Sequence, residues 1–144
     1  MARSFEGIYN EIIAKLQAIS DLQEVQTYPD ANFSGFPSAC AYPTTQDGAY
    51  FDTLRNERVY NFTVEVFYET KNTNKNTALV ALFDVVDQIL DSFDQDFTMS
   101  SATMPAGKDI FDIVPVSSLW GEIENEELIG CQISIQVRVA SDYK

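Results

Sequence analysis

From Thr53 to Asp91 the chain reads TLRNERVYNFTVEVFYETKNTNKNTALVALFDVVDQILD, and its apolar period changes partway along. Tyr60, Phe62, Val64, Val66 and Tyr68 alternate with Asn61, Thr63, Glu65 and Glu69, the period of a half-buried strand. Phe67 falls on the polar side, so this second face is expected to be partly covered as well. ETKNTNKNT is a polar connector, with Asn76 or Thr77 as the expected cap of a helix. There Leu79, Leu82, Phe83, Val86, Ile89, Leu90 and Phe93 recur at helical spacing and predict the buried stripe. Burying each contributes roughly 1.5–3 kcal/mol. Asp84, Asp87 and Asp91 take the opposite side.

The same reading extends in both directions. Ser4 is placed to cap a first helix whose apolar positions are Phe5, Ile8, Ile12, Leu16 and Ile19, widened by Tyr9 and Ile13, with Glu6, Asn10, Glu11 and Lys15 left for water. Residues 24–28 form a short strand closed by Pro29, and PDANFSGFP carries turn residues at nearly every step. A second short strand, residues 38–42, stops at Pro43. From Thr44 to Glu57 the chain turns polar, and Asp47-Gly48 is a plausible tight turn, which predicts a projecting hairpin arm.

After Asp94 a segment without periodicity runs to about Lys108; loops of this length are usually functional or mobile. Residues 110–120 form a strand that Pro115 places at an edge or a bulge. In the last strand Cys131, Ile133, Ile135, Val137 and Val139 point one way and Gln132, Ser134, Gln136 and Arg138 the other. The predicted class is α+β in the order α-β-β-β-α-β-β. A mostly antiparallel sheet of four to five strands carries two amphipathic helices on one face, in a single domain spanning 1–144.

Charge narrows the function. The 22 acidic and 9 basic residues among 144 give a formal charge of −13. Such a surface repels phosphates at long range and argues against direct DNA or RNA readout. The start, Met1-Ala-Arg-Ser-Phe, has no apolar core of a signal and no myristoylation glycine, and no apolar run is long enough for a membrane. Cys40 and Cys131 fall in strand-like stretches, so two buried thiols in a reducing compartment are expected.

Candidate chemistry is sparse. The chain has no histidine, which excludes Ser-His-Asp, Cys-His and His-metal arrangements, and it has no phosphate-loop motif. DSFDQD, residues 91–96, lacks the glycine and distal glutamate of a calcium loop. EIENEE places Glu122, Glu124 and Glu126 on one strand face, where a solvated rim is the simpler reading than a cation site. Trp120 beside Gly121 reads as a core or sheet-edge residue. Arg55 and Arg58 stand at the entrance of the long strand and Lys71 and Lys75 at its exit; ordinary solvated loop charge is the simpler reading, and the sharper one is that these cations meet the acidic helix face of a neighbouring copy. Neither catalysis nor a cofactor is expected.

The whole-chain pattern resembles the tail terminator, or tail completion, proteins of long-tailed bacteriophages. The residues that carry it are the N-terminal amphipathic helix, TYPD, FSGFPSACAYP, YFDTLRNERVYNFTVEVFYE, ALVALFDVVDQILD, LWGEIE and the closing GCQISIQVRV. The resemblance implies a ring, typically of six subunits, at the head-proximal end of the virion tail, assembled in the host cytoplasm. Its partners would be the tail tube protein, the head–tail connector or neck proteins, and viral DNA that passes without specific binding. A head-completion, neck or tail tube protein is the alternative within the virion, and an acidic DNA mimic that inhibits a nucleic acid enzyme the alternative outside it. Interface candidates are Asp47, Tyr50, Phe51, Arg55, Arg58, Lys71, Lys75 and Met104; Glu122, Glu124 and Glu126 are candidates for the channel lining.

Overall fold

The computed structural model describes residues 3–26, 35–50, 55–70, 74–96, 98–99, 102–123 and 127–142; the side chains of 46–50, 55–56, 111, 117, 119, 122–123 and 141–142 lie outside that description. Among the described residues two helices, α1 (Ser4–Gln17) and α2 (Lys75–Gln95), accompany five strands: β1 (Glu24–Gln26), β2 (Ser38–Tyr50), β3 (Arg55–Glu69), β4 (Lys108–Ile123) and β5 (Leu128–Asp142). The element order is α-β-β-β-α-β-β, as the periodicity predicts.

The strands form one sheet in the order β1-β2-β3-β5-β4. Only β1 and β2 run parallel; every other pair is antiparallel. At 15 residues each, β3 and β5 span about 50 Å at ~3.3 Å per residue. They pair without a break from Arg55↔Asp142 to Glu69↔Leu128 and make the sheet's spine.

Alternation along the spine sends one set of side chains under the helices. Phe62, Val64 and Val66 of β3 and Ile133, Ile135, Val137 and Val139 of β5 are buried with Ile8, Ile12 and Leu16 of α1 and Leu82, Val86, Ile89 and Phe93 of α2 in one apolar cluster. Ala39 and Ala41 of β2 join it, and such small side chains leave room for α1 close above. On the other face Cys40, Phe67 and Leu128 form a small second cluster, with Phe36 against it. The break in alternation at Phe67 marks that patch.

Local competition moved several boundaries. Ser4 does not cap α1; Arg3 holds the cap position without a side-chain bond, and Ser4 is the first helical residue. The cap of α2 is Asn74, whose Oδ1 accepts from the backbone N–H of Asn76 at 2.8 Å. Pro43 does not end β2. Because β1 pairs only with Ser38, Ala39 and Cys40, Pro43 sits on an exposed edge, where its missing N–H costs little, and the ladder resumes after a bulge at Thr44. Asp47-Gly48 is not the turn: it lies within the ladder, Asp47 opposite Val59 and Gly48 opposite Arg58. Pro115 does mark an edge strand, and β4 shifts register after Ile110 and again after Pro115.

Thr103 and Met104 pack back onto the start of α1 at Gly7. A Cβ on Gly7 would stand inside the van der Waals surface of the Thr103 carbonyl, so glycine permits this close approach. Lys15 Nζ donates to Asp96 Oδ2 at 3.0 Å, a partly buried pair joining α1 to the end of α2. Lys15 is therefore not the solvated residue that its helix position predicts.

Candidate interaction surface

The sheet face turned away from the helices is polar and cross-linked. Glu65 on β3 is its hub: Tyr42 Oη donates to Glu65 Oε1 at 2.7 Å and Gln132 Nε2 donates to the same oxygen at 2.6 Å. One carboxylate oxygen thus ties β2, β3 and β5. Asn61 Nδ2 donates to Thr45 Oγ1 at 2.8 Å, and Thr44 Oγ1 donates to the Asn61 carbonyl at 3.1 Å across the bulge. Arg138 Nε donates to Asp112 Oδ1 at 2.7 Å, its second nitrogen meets Asp112 Oδ2, and Glu57 lies 3.9 Å away.

These groups are tuned for holding rather than reacting. Burial, then the nearby Glu65 charge, pushes the Cys40 thiol up to about 12, far from a reactive thiolate at neutral pH. Burial also raises Tyr42 to about 12, helped by its bond to Glu65. Cys131 is buried as well, and neither cysteine is in a disulfide. Among the described residues no three His, Cys, Asp or Glu side chains converge as a metal site. No helix among them is long and apolar enough to cross a membrane.

What stands out instead is aromatic surface at two edges. On the β2 side Phe5 is 42% exposed, its ring 4.7 Å from Tyr60 in an edge-on contact and 6.1 Å from Phe62. Phe5, Pro43, Thr44 and Thr45 line a hollow of about 330 Å³. On the β4 side Phe83 and Trp120 are 45% and 38% exposed, with ring centroids 5.4 Å apart at 77°. Phe83 was predicted in the buried stripe and Phe5 at the head of its own. Each instead packs one side of its ring on the sheet, Phe5 on Tyr60 and Phe62 and Phe83 on Trp120, and keeps the rest exposed. Trp120, expected in the core or at a sheet edge, stands on the edge strand β4, but its contact with Phe83, 37 positions away, has no local sequence signal.

The predicted interface residues are scattered. Arg58 is half-buried on β3, on the same strand face as Tyr60 and next to the Phe5 patch. Arg55 opens β3 opposite Asp142, Asp47 faces Val59 and Tyr50 faces Asn56, with their side chains outside the described set. Lys75 opens α2 and is exposed. Met104 is partly buried, its Sδ packed towards Gly7. It also lines a depression of about 410 Å³ with Met99, Pro105 and Ile110. Glu122 pairs with Ile129 in the ladder, its side chain undescribed. Phe51, Lys71, Glu124 and Glu126 lie outside the described residues.

No protein-family model matches the chain, and no curated protein matches it. Among solved structures it is similar to a chain from the virion of a native gene transfer agent particle, with a TM-score of 0.58 at 14% identity, covering 93% of this chain and 95% of that one. At that identity the likeness establishes a shared fold, along nearly the full length of both chains.

Proposed function

We propose that this chain is a structural virion protein of the phage type, whose copies close into a ring of six. The ring caps the tail tube, docks to the head or neck and leaves a channel for DNA. The observation that carries this reading is the end-to-end fold match with a virion chain, in which neither partner has a large unmatched domain. The element order that resembles tail terminators supports the tail-capping role. A ring requires a heterologous interface whose rotation closes. Exposed aromatic surface at two different edges of the sheet supplies candidates for its two halves.

The acidic charge suits a conduit. Double-stranded DNA carries one negative charge per ~1.7 Å of axis, so carboxylates facing a channel keep it from adhering. Glu122, Glu124 and Glu126 are assigned to that lining in this reading. The same charge opposes assembly, since six copies bring −13 each. Apolar contact and local pairing must overcome the repulsion, with screening over ~8 Å at physiological salt against ~30 Å at 0.01 M.

Light scattering behind a sizing column, with electron micrographs of the same sample, tests the reading in the presence and absence of tail tubes. Closed rings or capped tube ends are expected, and the rings should loosen as ionic strength falls. A chain that stays monomeric and leaves tube ends bare overturns the proposal. Tight binding of that monomer to a basic nucleic acid enzyme would select the DNA-mimic reading.

A further inference from the structure

The ring reading requires two unlike surfaces that fit each other, and the molecule offers two candidates. One is a hollow beside Phe5; the other is the exposed aromatic pair Phe83 and Trp120, which serves as the protrusion of the contact inferred below. They belong to opposite edges of the sheet: β2 beyond Cys40 has no β1 partner, and β4 is the last strand on the other side. Both edges carry a proline followed by a bulge, at Pro43 and Thr44 and at Pro115 and Val116. Proline and bulges blunt backbone addition, so contact at these edges must be made by side chains.

Charge identifies the occupant. Arg3 is exposed at the cap of α1, two residues before Phe5, and Arg58 lies beside Tyr60, the ring against which Phe5 packs. Among the described residues neither arginine has a carboxylate partner. On α2, Asp87 stands one turn after Phe83, and Val80 and Asp84 share the same side of the helix; all are exposed. Cations thus stand near Phe5 on one side of the molecule, and acids stand near Phe83 on the other. In a chain with only 9 basic residues against 22 acidic ones, two copies can approach only where such local opposition exists.

Resting on the ring reading, we propose that Trp120 and Phe83 of one copy seat in the Phe5–Pro43 hollow of the next, with Asp84 and Asp87 facing Arg58 and Arg3. Hollows of ~300 Å³ and above accommodate ring-sized groups. An aromatic anchor in a pocket, sealed by a charged rim, is the usual core of a tight interface. The contact is head-to-tail, because each copy offers the hollow at one edge and the protrusion at the other.

Trp120 is the single tryptophan, so it reports directly. Its emission should shift to the blue as rings form, and Trp120→Ala should weaken assembly by about 30-fold or more. Thr44→Trp, which fills the hollow from the opposite side, should do the same without touching the protrusion. Mixing the two variants is decisive: one intact hollow and one intact protrusion permit a single contact, so sedimentation velocity should show one-to-one dimers and no rings. Rings that persist in both single variants overturn the contact and leave the ring reading standing. Rings rebuilt in the mixture overturn the head-to-tail placement. If the unmodified protein forms no ring, alone or on tubes, the ring reading falls and takes this contact with it. Capture of an unrelated protein by the hollow, with rings unaffected, counts against the proposal too.

Discussion

The two faces of the sheet are built from the same strands and hold together by different physics. Beneath the helices, Phe62, Val64, Ile133, Ile135 and Val137 are almost wholly removed from water, and area removed is what stabilises. On the opposite face, Glu65, Tyr42, Gln132, Arg138 and Asp112 exchange bonds to water for bonds to one another, and the net gain per bond is about 1 kcal/mol. The covered face therefore supplies stability. The open face supplies register: its cross-strand bonds form only in one alignment, and a one-residue slip would also bury the polar set.

The largest expected effect lies on the covered face. Phe62 is 1% exposed within the core cluster, and Phe62→Ala removes one of its largest side chains. Loss of about 3–5 kcal/mol is expected, measured as a lower urea midpoint with an unchanged slope. A loss under 1 kcal/mol would mean that the helices collapse onto the gap, and that the core is less specified than its burial implies.

That asymmetry explains what could be read in the sequence. Alternation in β3, broken only at Phe67, and in β5, with the helical stripe of α2, reflects burial, so class, element order and the covered face were legible. Turns and caps were not, because several residues compete for each. Asp47-Gly48 has turn chemistry, yet the ladder from Pro43 to Tyr50 overrides it; Asn74 caps α2 ahead of Asn76 and Thr77. Periodicity also gives the direction of a side chain but not where the element below it stops. Phe5 and Phe83 sit in apolar stripes and still reach water. Contacts such as Phe83 with Trp120 and Lys15 with Asp96 join distant positions, and no local spacing announces them.

An intermediate effect is expected from the open face at alkaline pH. Cys40 and Tyr42 are both raised to about 12, chiefly by burial, from ordinary values of 9.0 and 10.0. A group whose folded value is raised holds its proton more tightly in the native state. Its contribution is complete below the unfolded value and is lost as pH climbs towards the folded one. Stability should therefore decline from about pH 9 upward, while near neutrality the contribution of these two groups is complete and does not vary with pH. Cys40→Ala should flatten the decline between pH 9 and 11 in urea titrations. An unchanged slope would assign it to other groups.

The smallest effect belongs to the Arg138 pair, and its salt dependence sharpens the contrast most. The two-pronged geometry with Asp112 favours it, but the Arg138 side chain is 42% exposed, and water screens what the geometry gains. A double-mutant cycle with Arg138→Gln and Asp112→Asn should return a coupling of about 1 kcal/mol or less, shrinking as salt is added. The bond to Asp112 raises the already high value of Arg138, so its charge is constant across neutral pH. Assembly should respond in the opposite sense, because copies carrying −13 each repel most at low ionic strength. Within one copy salt weakens an attraction, and between copies it weakens a repulsion. Opposite trends over one salt series would separate the charges that fix the sheet from those that govern the ring, and parallel trends would remove net repulsion as the force opposing assembly.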